Sequence, residues 1–269
     1  MSPVRPQPLA ALTAPALRRV AGIMTDIDDT LTAEGRLDPP AHEALLALRA
    51  AQVPVIAITG RPVGWSEPFA RAWPVAAIVA ENGAVALIPD GAALHVEYAQ
   101  DAGMRSRNAR RLQAVAARVL REVPGATLAR DSAGRVTDIA VDHSEFAHLD
   151  AAAVRQVVAL MQAEGMNATV SSIHVNGWFG SHDKLSAAHW MVRRLFGRDL
   201  AGEMARWVYV GDSTNDQAMF DAFPLSVGVA NLRRFAAELR TWPAYITEGE
   251  RGAGFAELAA RVVAARQLR

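Results

Sequence analysis

Short apolar segments alternate with helical patterns in the first and last thirds of the chain, and this alternation limits the fold more than any other feature. Helix starts are marked by residues such as Asp38, which precedes two prolines. Repeats of strand, helix and strand favour parallel pairing with right-handed crossovers. The sequence therefore predicts an α/β fold around a parallel sheet. The predicted strands are Val20–Ile27, Val53–Ile58, Val75–Ala80, Trp207–Val210 and Leu225–Val229.

The middle third follows a different pattern. Two strands, a helix, two strands, a helix and two more strands succeed one another, and the turn Pro89-Asp90-Gly91 indicates a hairpin. This order is typical of an α+β insert rather than a continuing parallel sheet. We therefore expect residues 1–83 and 182–269 to form the core domain and residues 84–181 to form an inserted cap domain.

Composition excludes several classes of function. The 269 residues include 28 basic and 28 acidic side chains, so the balance of charge indicates neither a nucleic-acid nor a membrane partner. Cysteine is absent, which rules out disulfides, thiolate metal sites and cysteine nucleophiles. The stretch Met1–Arg19 has four prolines and no long apolar run, so we expect a partly ordered lead-in and a cytoplasmic protein. The sequence gives no indication of an oligomeric state.

Polar residues that could take part in catalysis or ligand binding directly follow the predicted strands. Because ligands bind beyond the carboxyl ends of strands in an open parallel sheet, we expect these residues to meet at one edge. Lys184 opens a helix just after the insert and should join them. The segments that follow the strands are Asp26 to Thr30, Thr59 to Arg61, Glu81 to Gly83, and Gly211 to Asp216.

Such a group of residues predicts phosphoryl-transfer chemistry. Clustered carboxylates repel one another unless a cation lies among them, and hard oxygen ligands favour Mg²⁺. Lys184 and the backbone N–H groups around Gly60 would bind phosphate oxygens. A carboxylate can attack phosphorus only when a metal offsets the repulsion between the two anions. Asp28 lies two residues after Asp26, on the same side of the strand end, where it suits an acid/base role.

Taken together, these segments resemble the motifs of the haloacid dehalogenase superfamily of phosphatases. The first motif is matched by Asp26 to Thr30, the second by Thr59 and Gly60, the third by Lys184 and the fourth by Gly211 to Asp216. Because the insert lies between the second and third motifs, the resemblance is to subclass IIB, the Cof-like and sucrose-phosphatase-like branch. Asp29 departs from the pattern, since many members have glycine there.

The resemblance implies a Rossmann-like core with a C2-type cap, and it implies roles for individual residues. Asp26 would be the nucleophile and a Mg²⁺ ligand, and Asp28 the general acid/base that binds the metal through its backbone carbonyl. Asp212 and Asp216 would complete the metal site. The residues implied to hold the phosphoryl group are Thr59, Gly60, Lys184 and Asn215.

Other candidates have two interpretations each. Arg61 either contacts substrate or phosphate, or pairs with a loop carboxylate. Asn82 either positions the substrate or makes a bend. His174, Asn176 and Trp178 alternate along one predicted strand and share a face, which either lines a substrate cleft or packs within the cap.

The leading hypothesis is a Mg²⁺-dependent phosphomonoester hydrolase that forms an aspartyl-phosphate on a small phosphorylated metabolite, with a sugar phosphate as the expected substrate. A phosphomutase on the same scaffold is one alternative, although the segment Thr59 to Arg61 is unusual for mutases of this kind. A non-catalytic binding protein is the other, although both aspartates of the first motif are present.

Overall fold

A nine-stranded sheet forms the core of the computed structural model, which describes residues 5–267. The first seven strands in spatial order are parallel, and each of the last two pairs in antiparallel fashion with the strand before it. From one edge to the other they are β1 (Gln7–Pro8), β15 (Tyr245–Ile246), β14 (Leu225–Gly228), β13 (Trp207–Gly211), β2 (Gly22–Thr25), β5 (Val55–Ile58), β6 (Ala77–Ala80), β7 (Val85–Asp90) and β8 (Ala93–Tyr98). The predicted α/β fold with a parallel sheet is confirmed.

Helices cover both faces of this sheet because successive strand residues point to opposite sides. In β2, Ile23 belongs to one apolar core and Met24 to the other. The first core is closed by α1 (Ala14–Arg18), α2 (Pro39–Ala50), α3 (Val63–Ala72) and α8 (Arg251–Gln267). The second is closed by α6 (Lys184–Phe196) and α7 (Gln217–Ala222).

A separate four-stranded antiparallel sheet forms the cap, with its own apolar core. Its strands, in spatial order, are β11 (Asn167–Val170), β12 (His174–Trp178), β10 (Asp138–Asp142) and β9 (Thr127–Leu128). Two helices pack on it, α4 (Ala102–Glu122) and α5 (Ala151–Ala163). A small hairpin of β3 (Thr32–Ala33) and β4 (Arg36–Leu37) projects from the core.

Three local expectations differ from the structure. The hairpin β7–β8, expected within the insert, pairs with β6 and extends the core sheet. It does so because its inward residues, such as Leu87, are apolar and complete the first core. The spacing of Leu232, Phe235 and Leu239 predicts a helix that opens at Asn231, but the structure has a 3₁₀ segment there, Ala230–Phe235. Within the lead-in, β1 pairs with β15, and buried Leu9 anchors it.

Among residues 5–267, no helix combines the length and the apolar character that crossing a membrane requires.

Gly22 allows two core strands to lie close together. It is paired in register with Trp207 on the neighbouring strand, and a Cβ atom at Gly22 would lie 2.3 Å from the Trp207 ring. Trp207 is fully buried, so its ring has no free space into which it can move. The absence of a side chain at Gly22 is therefore a packing requirement.

Replacement of this glycine tests the packing. Gly22→Ala should lower the free energy of unfolding by about 1–3 kcal/mol, the usual cost of overpacking a core. Urea denaturation followed by tryptophan fluorescence measures the change. Gly202→Ala is the matched control, because a Cβ atom there has no heavy atom within 4 Å. Equal stability of the two variants would contradict this account of the core.

Candidate active site

Three aspartates meet at the carboxyl edge of the core sheet. Asp26 follows β2, and Asp212 and Asp216 follow β13, the strand paired with it. One carboxylate oxygen from each aspartate lies within 4.8 Å of those of the other two. All three side chains are buried. The parallel pairing of these two strands therefore brings together carboxylates from distant parts of the sequence.

Lys184 supplies the positive charge at the centre of this cluster. Its Nζ lies 2.6 Å from Asp26 Oδ1 and 2.7 Å from Asp216 Oδ1. The start of α6 is fixed by Asp183, whose side chain accepts a hydrogen bond from the backbone N–H of Ser186 at 2.7 Å. Because the helix start is capped in this way, the lysine side chain reaches the aspartates from a fixed point.

Asp216 is held by four donors. Besides Lys184, the Tyr209 hydroxyl donates to Oδ1 at 2.5 Å. The backbone N–H groups of Asp212 and Ser213 donate to Oδ2 at 3.0 and 3.2 Å. Both oxygens of Asp216 are therefore engaged, so this residue organises the loop after β13.

Asp212 has an oxygen without a partner. Its Oδ2 accepts a hydrogen bond from Asn231 Nδ2 at 3.2 Å, whereas Oδ1 is buried and has no hydrogen-bond partner among the described residues. A buried carboxylate oxygen normally has a partner, since leaving it unsatisfied is costly. A divalent cation bound between Asp212 and Asp26 would satisfy it. The donor set, made of hard carboxylate oxygens, fits Mg²⁺.

Electrostatics favour a cation in the same place. Burial raises the pKa of Asp26 to about 8, although the Lys184 ammonium opposes the shift and the neighbouring carboxylates add to it. Burial, with Asp26 and Asp216 nearby, also raises the pKa of Asp212. Burial alone would lower the pKa of Lys184, but Asp216 and Asp26 raise it. Three carboxylates thus share one ammonium group, and a second source of positive charge would stabilise their ionised forms.

The side chain of Asp28 is bound by Arg61. The guanidinium Nε lies 2.9 and 3.1 Å from the two carboxylate oxygens. Arg61 also contacts two cap residues, Glu145 at 2.8 Å and Asp131 at 3.3 Å. The structure therefore places Arg61 among carboxylates, as one of its two sequence interpretations expected, and makes it a bridge between core and cap.

Glu145 extends this network into the cap sheet. His174 Nε2 lies 2.9 Å from Glu145 Oε2. Burial alone would raise the pKa of Glu145, but the bonds with His174 and Arg61 lower it to about 2. His174 is thus part of the network that joins the two domains.

The loop after β5 is also held by the cap. Thr59 Oγ1 accepts a hydrogen bond from the backbone N–H of Arg61 at 3.0 Å. The carbonyl of Gly60 accepts bonds from Arg135 Nη1 at 2.9 Å and Asn176 Nδ2 at 3.2 Å. The Asn176 side chain therefore contacts the backbone of the loop that is expected to bind phosphate.

The turn after β6 anchors the cap through buried polar groups. The Glu81 carboxylate accepts bonds from the backbone N–H groups of Val136 and Thr137 and from the Thr137 hydroxyl. Asn82, at a left-handed φ of 56°, donates to Asp138 Oδ2 at 3.3 Å. The bend expected for Asn82 is present, together with a contact to the cap.

Trp178 packs inside the structure. Its side chain is buried, and its Nε1 donates to the carbonyl of His182 at 2.8 Å. It also borders a cavity of about 360 Å³ together with Asn82, Lys184 and Asn215. The three expected residues of β12 are all buried, and only Trp178 among them reaches that cavity.

Several contributors were not predicted from the sequence. Asn231 lies just beyond β14, so the rule that drew attention to the other strand ends would have found it. Tyr209 lies within a strand, where a tyrosine is expected to pack in the apolar core. Arg135 and Glu145 come from cap segments with no motif, so only the tertiary structure identifies them.

The backbone of Asp29 has a conformation that suits the glycine which the resemblance implies at this position. Its φ is 56°, in the left-handed region that glycine adopts without steric cost. Its carboxylate lies 2.9 Å from Arg251 Nε. Its side chain therefore pairs with the start of α8.

Comparisons with known proteins agree with this geometry. Residues 23–105 match the family model of haloacid dehalogenase-like hydrolases. No curated protein matches the chain. The expected resemblance to the haloacid dehalogenase superfamily is confirmed for residues 23–105.

Solved structures share the whole fold at low sequence identity. The Synechocystis sucrose-phosphatase in complex with sucrose and phosphate is 16% identical, with a TM-score of 0.64, covering 91% of this chain and 98% of that one. The C-terminal domain of Candida albicans trehalose-6-phosphate phosphatase is 13% identical, with a TM-score of 0.67 and coverage of 96% and 99%. A putative HAD/COF-like hydrolase from Plasmodium vivax is 16% identical, with a TM-score of 0.67 and coverage of 92% and 98%.

The Arg61 bridge leads to a stability prediction. Arg61→Met should lower the free energy of unfolding by about 1–3 kcal/mol, because it leaves three partly buried carboxylates without their cation. Arg71→Met is the matched control, since Arg71 forms a single exposed ion pair with Glu67 at 3.0 Å and should change stability by less than about 1 kcal/mol. Chemical denaturation measures both variants. Similar losses of stability in the two variants would show that the Arg61 network stabilises the fold no more than an exposed ion pair does.

Proposed function

We propose that this protein is a Mg²⁺-dependent phosphomonoester hydrolase that acts through an aspartyl-phosphate on Asp26. The observation that carries the proposal is the cluster of Asp26, Asp212 and Asp216 around Lys184, with a buried oxygen of Asp212 left without a partner. Such a site holds an anionic nucleophile where a cation and a phosphate group can meet.

The residues for a metal ion are Asp26, the backbone carbonyl of Asp28, and Asp212, supported by Asp216. When bound, Mg²⁺ would offset the repulsion between the Asp26 carboxylate and the phosphate oxygens. Lys184 keeps one oxygen of Asp26 in place at 2.6 Å. Its ammonium group can also form an ion pair with a phosphate oxygen.

The reaction has two displacements. First, an oxygen of Asp26 forms a bond to phosphorus while the bond from phosphorus to the leaving oxygen breaks, and Asp28 gives its proton to that oxygen. Then a water oxygen attacks phosphorus and passes a proton to Asp28, while the bond between phosphorus and Asp26 breaks. Inorganic phosphate leaves and both aspartates return to their starting forms.

The phosphoryl group would be held by residues from three loops. We assign Thr59, Gly60, Lys184 and Asn215 to this role. Thr59 and Gly60 lie in the loop after β5, which the cap fixes through the Gly60 carbonyl. Asn215 Oδ1 accepts a hydrogen bond from the Ser213 hydroxyl at 2.9 Å, so its amide nitrogen remains available as a donor.

A small phosphorylated metabolite is the proposed substrate. The cap covers the site, joined to the core by Arg61, Arg135 and Glu81. Two of the similar structures are named for sucrose-phosphatase and trehalose-6-phosphate phosphatase. These names and the small enclosed site support a sugar phosphate.

Loss of the nucleophile tests the reaction directly. Asp26→Asn should lower phosphate release from p-nitrophenyl phosphate with Mg²⁺ by at least about 1000-fold, because an amide cannot form the acyl phosphate. Asp150→Asn is the matched control, since Asp150 only caps a cap helix through the Ala153 N–H. EDTA should inactivate the unaltered protein. Substantial activity of Asp26→Asn would refute the assignment of the nucleophile.

The raised pKa of Asp26 makes metal binding depend on pH. Because this pKa lies near 8 rather than 3.8, the folded metal-free protein holds a proton that the unfolded chain has lost, and folding becomes less favourable as the pH rises from about 4 to 8. Mg²⁺ must displace that proton, so its affinity should rise with pH up to about 8.

Thermal unfolding measures this effect without an activity assay. Added Mg²⁺ should raise the midpoint temperature, by more at pH 8.5 than at pH 6.5. Asp212→Asn should remove most of the increase at both values, while Asp150→Asn should retain it. A Mg²⁺ effect that is independent of pH would contradict the proposed competition with a proton.

A further inference from the structure

The cavity beside Asp28 is the place where a leaving group would lie. It measures about 290 Å³ and is lined by the hairpin that carries Glu34, by Arg61 and by the cap loop Ser144–Phe146. In the proposed reaction Asp28 protonates the leaving oxygen, so the leaving group must contact it. The cavity near Trp178 is not lined by Asp28 and does not meet this condition. A volume at the lower end of the usual range, about 300–1,000 Å³, suits a small metabolite.

The cap loop over this cavity is held rigidly. The Asp142 carboxylate accepts hydrogen bonds from four successive backbone N–H groups at 2.9–3.3 Å, those of Ser144, Glu145, Phe146 and Ala147. These bonds fix the backbone without using the side chains of the loop. The loop therefore presents Glu145 and Phe146 to the cavity in a set arrangement, as a binding surface requires.

Phe146 is an unusually exposed aromatic residue. Its side chain is 54% exposed, the highest fraction among the large apolar side chains of the described residues. The Arg130 guanidinium lies 3.8 Å from its ring centroid and holds the ring. A fixed apolar ring at the edge of a polar cavity can cover the C–H face of a sugar ring, because this removes apolar surface of both groups from water.

The charges around the cavity are mainly negative. Two guanidinium groups, of Arg61 and Arg251, are already paired with the carboxylates of Asp28 and Asp29. Glu145, which is bonded to Arg61 and His174, and the exposed Glu34 add two further carboxylates. A leaving group with its own negative charge would be repelled here, whereas a neutral or positively charged one would not.

We propose that Phe146 and Glu34 determine substrate specificity, so that this enzyme prefers monophosphates of neutral or cationic sugars, of about one ring, over those of acidic sugars. This inference rests on the proposed phosphatase activity. Phe146 selects for a ring that it can cover, and Glu34 selects against negative charge.

Four phosphate compounds test the preference. Glucose 6-phosphate has a neutral leaving group, glucosamine 6-phosphate a cationic one and 6-phosphogluconate an anionic one. Acetyl phosphate is the reference, because its acetyl group has no ring that Phe146 could cover. The unaltered protein with Mg²⁺ should show kcat/KM for the first two at least tenfold above that for 6-phosphogluconate. The reverse order would overturn the proposal.

Variants of Phe146 separate binding from folding. Phe146→Ala should lower kcat/KM for glucose 6-phosphate at least tenfold, mainly through KM, and leave acetyl phosphate within twofold. Phe146→Tyr should retain both activities because it keeps the ring. Leu120→Ala is the matched control, an exposed apolar residue of α4 that lies away from the cavity. Equal losses on both compounds would reduce Phe146 to a structural role and overturn the inference.

A variant of Glu34 tests the charge. Glu34→Gln should raise kcat/KM for 6-phosphogluconate relative to glucose 6-phosphate about fivefold, and high salt should reduce this difference. Glu43→Gln, on the exposed side of α2, is the control and should leave the ratio unchanged. An unchanged ratio in Glu34→Gln would contradict its role. If the unaltered protein released phosphate from none of the four compounds and not from p-nitrophenyl phosphate either, the proposed function itself would fail, whereas hydrolysis of acetyl phosphate or p-nitrophenyl phosphate alone would overturn only the specificity.

Discussion

The contact of one buried ammonium group with two carboxylates organises the functional edge of this protein. Lys184 lies between Asp26 and Asp216, with Asp212 beside them, and all four side chains are buried. Buried charges are costly unless they are paired. Here the pairing is incomplete, because three carboxylates share one lysine. The same imbalance that costs stability makes the site suited to a divalent cation and a phosphate group.

The cap is attached to this edge by further buried polar contacts rather than by an apolar interface alone. Arg61 joins Asp28 to Glu145, and Arg135 reaches the carbonyl of Gly60. Glu81 receives hydrogen bonds from the cap backbone, and burial raises its pKa to about 7. Because these contacts end on the loops that carry the candidate catalytic residues, the position of the cap and the geometry of the site depend on each other.

The residues that we propose for specificity and those that we propose for catalysis come from different parts of the chain. The residues assigned to catalysis follow strands of the core sheet, whereas Phe146 and Glu145 belong to a cap loop fixed by Asp142. With such a division, the reacting groups would lie at the ends of rigid strands, and a cap loop would select the leaving group. Among the alternating residues of β12, Asn176 contacts the core directly and His174 does so through Glu145 and Arg61, whereas Trp178 borders the cavity beside Lys184.

The sequence by itself determined the parallel sheet and the cluster of Asp26, Asp212, Asp216 and Lys184. Both follow from local rules, since apolar runs of strand length give strands and the residues after parallel strands share one edge. Only the tertiary structure placed the hairpin β7–β8 in the core sheet and brought Arg61 to Glu145. These contacts join residues distant in sequence, and their partners depend on how two domains pack, which no local pattern encodes.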